Sequence, residues 1–249
     1  MKLIHKFKSP NFDERKNAQI SFVIIHYTAI SSITNSLLHL CKPEKKVSCH
    51  YLISQDGQIY NLVKESKRAW HAGESFWNNI SDLNSNSVGV ELDFSNNQRN
   101  NKFSPEMINA LIYLLKKLIA KYKIKQENIL GHSDIAPFRK LDPGSKFPWK
   151  TLYKNNVSFN PYKKNKFIGV NINRWFLKNN INNSKKIVIF ILSYLGYDTL
   201  KLKHSKNKFC TLLISYQSHF IQKNVTGKLD KNTIEFMKNH FINYVLTKN

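Results

Sequence analysis

Two histidines and an aspartate in this sequence are of types that could bind a metal together. His26 and His132 each follow an apolar run, at what we predict to be the ends of two strands. Asp142 follows in a segment that prolines and a glycine keep irregular. Two histidines and one carboxylate form a ligand set of catalytic zinc sites, with a fourth position left for water. The alternative interpretation is that both histidines are ordinary core residues and that Asp142 only begins an Asp-Pro-Gly turn.

A glutamate and a lysine complete this set of reactive groups. Glu91 lies in a third predicted strand, and Lys140 stands two residues before Asp142. Zinc makes a water molecule acidic enough to attack near neutral pH and polarises a carbonyl group. Glu91 could take the proton of that water and pass it to a leaving nitrogen, while the Lys140 ammonium could stabilise a tetrahedral oxyanion. These groups predict amide hydrolysis; the alternative for Glu91 is a solvated strand carboxylate.

Three strand-like runs must bring these groups to one place. Residues 22–27 are apolar and β-branched, which is typical of a buried central strand. Alternation along residues 87–93 puts the valines and the leucine on one face and Glu91 on the other. Gly89, on the face of Glu91, is expected to leave space above the sheet and so favours a cleft. Residues 128–131 lead into the irregular loop.

Other local patterns add a hairpin and two helices. Asp-Gly at residues 56–57, between two β-like runs, is a strong hairpin signal. Residues 31–46 have helical spacing, and residues 104–122 carry an N-cap serine, an N1 proline and the apolar stripe of a second helix. Residues 1–20 are predicted to be an irregular lead-in. Strands interspersed with helices predict an α/β fold with a mixed central β-sheet flanked by helices.

The composition indicates a folded chain with a strong positive charge. Of the 249 residues, 41% are hydrophobic, and the formal net charge is +23 with an isoelectric point near 9.9. An anionic partner would suit this charge, but the lysines are spread along the chain, so we favour a solvated surface excess over a nucleic-acid site. Three cysteines without a close-paired motif imply neither a disulfide framework nor a cysteine-based zinc site.

No targeting or membrane-spanning segment is recognisable in the sequence. The N-terminal residues are charged and lack an apolar region, and no lipid-attachable cysteine follows them, so we identify no signal peptide. The longest apolar stretch, residues 187–195, is too short to cross a bilayer. We therefore expect a chain without a transmembrane segment.

The chain changes character after residue 153. Residues 154–166 are rich in asparagine and lysine and contain a proline, which predicts a linker. Residues 167–249 are predicted to form a small C-terminal three-helix domain, with one helix capped by Ser184 and ended by Gly196. The predicted division is a catalytic domain at residues 1–153, the linker and the helical domain.

Several segments resemble one known family, the zinc-dependent N-acetylmuramoyl-L-alanine amidases related to phage amidase-lysozymes and animal peptidoglycan-recognition proteins. The segments occur in the family's order, and no ligand position departs from the family pattern. They are residues 23–29, 48–52, 69–73, 87–92 and 131–149. Three further segments resemble a helical peptidoglycan-binding domain, and these are residues 192–198, 214–220 and 227–233.

The resemblance implies a fold, a cofactor and residue roles. The fold would be of the amidase/peptidoglycan-recognition type, with one Zn²⁺ per chain. Seven residues receive roles by this resemblance, and they are the zinc ligands His26, His132 and Asp142, the catalytic residues Glu91 and Lys140, and the substrate-groove residues Trp70 and His71.

The implied activity is zinc-dependent hydrolysis of the amide bond between N-acetylmuramic acid and L-alanine, in peptidoglycan or its fragments, during cell-wall turnover or recycling. The alternative is a non-catalytic peptidoglycan-binding protein, and the presence of all the ligand and catalytic residues argues against it. The expected partners are peptidoglycan and muropeptides, with no specific nucleic acid, and the expected state is a monomer. The family favours the bacterial cell envelope (periplasm or outer membrane), while the lack of a recognisable signal peptide or lipobox leaves the cytoplasm open.

Overall fold

The computed structural model of the protein describes residues 3–95, 102–162, 172–204 and 206–246. Its strands form a central sheet and a small separate pair. In chain order the strands are β1 (Leu3–Ile4), β2 (Phe12–Glu14), β3 (Phe22–Tyr27), β4 (Tyr51–Ile53), β5 (Ile59–Asn61), β6 (Lys67–Ala69), β7 (Ser87–Leu92) and β8 (Ile129–Gly131). The central sheet has six strands in the order β1-β5-β4-β7-β3-β8, and β2 pairs with β6.

The sheet is mixed, as predicted, and β3 lies inside it. β3 is parallel to both of its neighbours, β7 and β8, and β7 is also parallel to β4. β4 and β5 form the predicted antiparallel hairpin. The prediction of an irregular lead-in at residues 1–20 was wrong, because β1 extends the sheet edge beside β5 and β2 pairs with β6. These strands are two and three residues long, too short for a periodic signal to reveal.

Helices lie on both faces of the central sheet. In chain order the α-helices of the described residues are α1 (Ile33–Cys41), α2 (Leu83–Asn86), α3 (Pro105–Tyr122), α4 (His132–Ile135), α5 (Trp149–Lys154), α6 (Ile172–Lys178), α7 (Ser184–Leu195), α8 (Lys206–Phe220) and α9 (Lys231–Leu246). Among the residues that are described, none of these helices combines the length and the apolar character that spanning a membrane requires.

One face of the sheet packs on α3. Ser104 caps this helix as predicted, because its side chain accepts a hydrogen bond from the backbone N–H of Met107. The apolar stripe of α3 is buried against the odd-numbered side chains of β3 and the even-numbered side chains of β7. The opposite side chains of these strands, which include His26 and Glu91, therefore point to the second face.

The C-terminal helices cover part of this second face. Phe22, Ile24 and Leu130 from the sheet belong to one buried cluster with apolar residues of α6 to α9. The C-terminal part contains four α-helices within the described residues where three were predicted, and Asn183, not Ser184, accepts the capping hydrogen bond of α7. The predicted linker at residues 154–166 lies partly outside the described residues. The division into separate domains stays a prediction.

A shared core predicts that the two parts of the chain unfold together. Leu192 on α7 is fully buried in the cluster that contains Ile24 and Leu130. We expect Leu192→Ala to lower the free energy of unfolding of the whole chain by about 2–5 kcal/mol, through lost burial and the cavity left behind. Urea unfolding followed by tryptophan fluorescence and by circular dichroism should show one coincident transition.

The control is Leu200→Ala, because Leu200 is 65% exposed. This change should alter the free energy of unfolding by no more than about 0.5 kcal/mol. A separate transition that moves with Leu192→Ala while the rest of the protein keeps its midpoint would contradict the shared core.

Candidate active site

Three of the predicted residues meet at the carboxyl end of the parallel strands. His26 is near the end of β3, and its register partner on β7 is Glu91. His132 is the first residue of α4, directly after β8, and Asp142 lies in the loop that follows α4. His26 and His132 are buried, and the side chain of Asp142 is only 13% exposed. Parallel strands thus bring together residues that are 106 positions apart in sequence.

The ligand atoms of these residues form a compact triangle. The distances are 2.9 Å between the two histidine Nδ1 atoms, 3.2 Å from His26 Nδ1 to Asp142 Oδ2, and 3.1 Å from His132 Nδ1 to Asp142 Oδ2. A tetrahedral zinc ion with bonds of about 2.0–2.2 Å requires ligand separations of roughly 3.3–3.6 Å. The triangle is therefore within a few tenths of an ångström of one face of a zinc coordination sphere.

Hydrogen bonds behind His26 determine which nitrogen faces the triangle. The Ser87 hydroxyl donates to the carbonyl of Leu83, which can only accept. Ser87 Oγ must therefore accept from His71 Nε2, 3.1 Å away, and this leaves a lone pair on His71 Nδ1. His71 Nδ1 then accepts from His26 Nε2 at 3.1 Å, so the lone pair of His26 lies on Nδ1 and points at the triangle.

The hydrogen bonds that join Ser87, His71 and His26 form a relay, and both of its histidine rings are neutral. Burial and then the His132 ring lower the pKa of His26 to about 4. Burial, followed by the rings of His26 and His50, holds the pKa of His71 well below its usual range. Neutral imidazole is the form that binds a metal.

A separate contact sets the orientation of the His132 ring. Its Nε2 lies 3.1 Å from the carbonyl oxygen of Ala72, so this nitrogen carries the hydrogen and Nδ1 keeps the lone pair. Arg139 donates to the same carbonyl at 2.7 Å and to the carbonyl of Glu74 at 2.8 Å, which attaches the segment after α4 to residues 72–74. A metal-binding histidine usually donates its other nitrogen in this way, because the bond fixes the ring orientation.

Asp142 is held by its backbone as well as by its side chain. Its carbonyl oxygen accepts a hydrogen bond from the backbone N–H of Ser133, at 2.8 Å. Burial alone would raise the pKa of Asp142, but the His132 and His26 rings beside it outweigh burial and lower this pKa far below its usual range. Asp142 is therefore a carboxylate, and its Oδ2 converges with the two Nδ1 atoms that the outer hydrogen bonds leave facing the triangle. A cation is what this arrangement fits.

Glu91 presents a buried oxygen without a partner. The residue is 9% exposed, and its buried Oε2 makes no hydrogen bond to any residue that the structure describes. Burial and then the negative charge of Asp142 raise the pKa of Glu91 well above its usual range, while the charge of Lys140 acts in the opposite direction. An unpaired buried carboxyl is costly, and such groups occur where chemistry uses them.

Lys140 is a half-buried cation near the same residues. Its positive charge acts on both His26 and Glu91, so its ammonium lies within electrostatic reach of the triangle. Across the described part of the chain, its ammonium forms no side-chain hydrogen bond or ion pair. This cation is therefore available to an anionic group.

The two predicted groove residues are placed differently from each other. Trp70 is half-buried, and its indole N–H donates to Asp13 at 2.7 Å, so its role in substrate binding stays a prediction. The ring of His71 is buried and both of its nitrogens bond within the relay, and its role in substrate binding also stays a prediction. The space expected above Gly89 holds this ring: a Cβ atom at Gly89 would lie 2.4 Å from it.

Sequence reasoning missed the groups that hold the ligands in place. Ser87 lies on the same face of β7 as Glu91, so strand alternation places it near the site but does not reveal its bond to His71. The Ala72 carbonyl and the Arg139 guanidinium left no signal, because a backbone acceptor and an exposed arginine have no distinctive pattern in one sequence.

Comparison with known proteins agrees with this geometry. The sequence profile of the family described as N-acetylmuramoyl-L-alanine amidase matches residues 16–145. The chain is 33% identical to N-acetylmuramoyl-L-alanine amidase AmiD of Escherichia coli K12, in an alignment 239 residues long that covers 89% of this chain and 84% of that protein. It is 34% identical to 1,6-anhydro-N-acetylmuramyl-L-alanine amidase AmpD of Haemophilus influenzae, in an alignment 164 residues long that covers 58% of this chain and 88% of that protein.

Solved structures of amidases also match the fold of this chain. The complex of Escherichia coli AmiD with anhydro-N-acetylmuramic acid-L-Ala-D-γ-Glu-L-Lys matches with a TM-score of 0.73 at 30% identity, covering 94% of this chain and 91% of that one. AmpDH3 of Pseudomonas aeruginosa matches with a TM-score of 0.73 at 28% identity, covering 97% of this chain and 94% of that one. The resemblance found in the sequence is confirmed, and the chain belongs to the N-acetylmuramoyl-L-alanine amidase family.

Proposed function

We propose that this protein hydrolyses the amide bond between the lactyl group of N-acetylmuramic acid and the L-alanine of the stem peptide, in peptidoglycan or its fragments. The observation that carries the proposal is the triangle of His26, His132 and Asp142 on the same sheet face as Glu91. The names of the relatives support this substrate class. The site of action would be the bacterial cell envelope, where peptidoglycan lies, and the protein would act as a monomer.

His26, His132 and Asp142 would hold one zinc ion per chain through two Nδ1 atoms and one carboxylate oxygen. When bound, zinc polarises a carbonyl group and acidifies water. The protein supplies fixed lone pairs at the three positions and keeps them out of bulk solvent. Because neither histidine has to change tautomer, the ligands are arranged before the ion arrives.

Glu91 would move the proton. Its buried Oε2 can accept a proton from the attacking water and then donate it to the nitrogen of the departing L-alanine. The raised pKa of this carboxyl suits the first step, because a carboxylate that binds protons more strongly than usual is a stronger base towards water. A cation in the triangle would offset the negative charge of Asp142 and so reduce the rise in this pKa.

Lys140 would stabilise negative charge on the substrate. An oxyanion develops on the carbonyl oxygen as the amide is attacked, and a cation that is already in place lowers the energy of that state. The Lys140 ammonium has no competing partner within the described residues, so it would pair with this oxygen without first breaking an ion pair. Trp70 would contact the sugar or the peptide at the edge of the site, and the C-terminal helices would form the peptidoglycan-binding part.

Metal removal and loss of one ligand test the zinc assignment. We expect the purified full chain to contain about one zinc ion and to release stem peptide from a muropeptide, as measured by elemental analysis and mass spectrometry. A chelator should abolish release, and added zinc should restore it. Asp142→Ala should lose most of the zinc and the activity while keeping the fold, because it removes one of three ligands.

Asp56→Ala is the matched control, since Asp56 is an exposed carboxylate at the hairpin turn. It should keep both zinc and activity. Unchanged turnover by Asp142→Ala would refute the ligand assignment. Bound zinc without peptide release by the unaltered chain would favour a non-catalytic peptidoglycan-binding protein.

Replacing Glu91 separates catalysis from metal binding. We expect Glu91→Gln to keep about one zinc ion per chain but to lower kcat by about 10²–10⁴-fold, because an amide has the size of the carboxyl but cannot take up the proton. Zinc content and steady-state kinetics on the same sample measure both effects. Glu106→Gln, an exposed first-turn residue of α3, is the control and should leave kcat unchanged. Full activity of Glu91→Gln would exclude Glu91 as the proton carrier.

A further inference from the structure

The C-terminal part of the chain contacts α4, the helix that begins with His132. Asp134 on this helix is fully buried. Its Oδ1 accepts a hydrogen bond from the Tyr197 hydroxyl at 2.6 Å, and its Oδ2 accepts from His219 Nδ1 at 2.7 Å and from the backbone N–H of Gly131 at 2.7 Å. Two of these three donors therefore come from the C-terminal part, and buried hydrogen bonds to a carboxylate are strong.

A second contact joins the same two parts of the chain. The Ser215 hydroxyl of α8 donates to the carbonyl oxygen of Ser133 at 2.6 Å, and this bond is buried. Ser133 and Asp134 are thus both bonded to the C-terminal part. The position of α4 is fixed from outside the catalytic sheet.

The C-terminal part also holds the far end of the active-site loop, which comprises residues 136–149. His219 stacks on Trp149, with ring centroids 3.6 Å apart and an angle of 17° between the planes. The Gln222 side-chain amide donates to the carbonyl oxygens of Ser145 and Phe147, both at 2.6 Å. The C-terminal part therefore contacts the loop on both sides of Asp142.

These contacts lead directly to the ligand atoms. Ser133, whose carbonyl is bonded to Ser215, uses its own backbone N–H to bind the Asp142 carbonyl at 2.8 Å. His132 is the residue before Ser133. A shift of α4 would therefore move both His132 and Asp142 relative to His26, whose position is fixed by the pairing of β3 with β7.

We propose that Tyr197 and His219 are positioning residues for the active site, and that the C-terminal helices set the separation of the zinc ligands by holding Asp134. This inference rests on the zinc site of the proposed function. The two residues act through Asp134 and α4 and do not touch the substrate. A zinc ion tolerates only small displacements of its ligands, and supporting hydrogen bonds change metal affinity by about 10–100-fold.

A purely structural role makes a different prediction. If Tyr197 only packs in the core, its removal lowers stability and leaves the zinc affinity of the folded protein unchanged. Tyr216 provides the comparison, because it is also fully buried in the C-terminal part and its hydroxyl is hydrogen-bonded to His240 at 2.8 Å, away from Asp134. Tyr197→Phe and Tyr216→Phe each remove one buried hydroxyl.

The experiment measures zinc dissociation constants of the full-length apoprotein by competition with a chromophoric chelator. We expect Tyr197→Phe to raise Kd for zinc by about tenfold, at the lower end for supporting residues. Tyr216→Phe should keep Kd within about twofold of the unaltered protein while losing comparable thermal stability. Circular dichroism establishes that each variant is folded at the assay temperature.

A second pair of variants tests His219. His219→Leu should raise Kd for zinc by about tenfold and lower kcat with little change in KM, because the ligands and not the substrate contacts are displaced. His219→Asn restores a donor close to the place of Nδ1 and should recover part of the zinc affinity.

The outcomes separate this inference from the function that it rests on. Weaker zinc binding in Tyr197→Phe and His219→Leu, but not in Tyr216→Phe, would support the positioning role. Equal zinc affinity in all four variants and the unaltered protein would overturn the inference and leave the zinc site intact. An unaltered protein that binds no zinc would overturn both.

Discussion

The active site depends on where hydrogen atoms lie in a buried row of polar groups. The Leu83 carbonyl can only accept, and this fixes the hydroxyl of Ser87, then the tautomer of His71, then the lone pair of His26. The Ala72 carbonyl fixes His132 in the same way. The result is a set of acceptors that face one another at about 3 Å, an arrangement that is repulsive until a cation separates them. The backbone carbonyls of Leu83 and Ala72 do not belong to the triangle, but they set the histidine tautomers and thereby make the site suited to a cation.

Two acidic residues of the site, Asp142 and Glu91, have opposite pKa shifts because their surroundings differ. Two histidines lower the pKa of Asp142, whereas burial raises the pKa of Glu91, whose Oε2 has no partner among the described residues. The roles of metal ligand and proton carrier thus go to two acidic residues according to their surroundings. Gly89 contributes by its size alone, because only a residue without a side chain leaves room for the His71 ring on this face of β7.

Much of the architecture could be predicted from the sequence, and the errors have physical causes. Alternation along β7 placed Glu91 on the correct face, and the apolar run of β3 indicated a central strand. The residues proposed as ligands were found together because their segments end at one edge of a parallel sheet. The burial of the His71 ring was not foreseen, because a histidine beside a tryptophan has the same sequence pattern in a groove as in a core. Tyr197 and His219 were not recognised as partners of Asp134, because they are 63 and 85 positions away from it.

The apolar cover on the second sheet face limits how this enzyme can be rebuilt. Ile24 and Leu130 share a buried cluster with apolar residues of the C-terminal helices, so removing those helices would uncover part of this cluster. Exchanging the helices for a different module at residue 154 would therefore expose a hydrophobic surface that favours aggregation. A new module has to be appended to the intact chain, and the native helices have to stay.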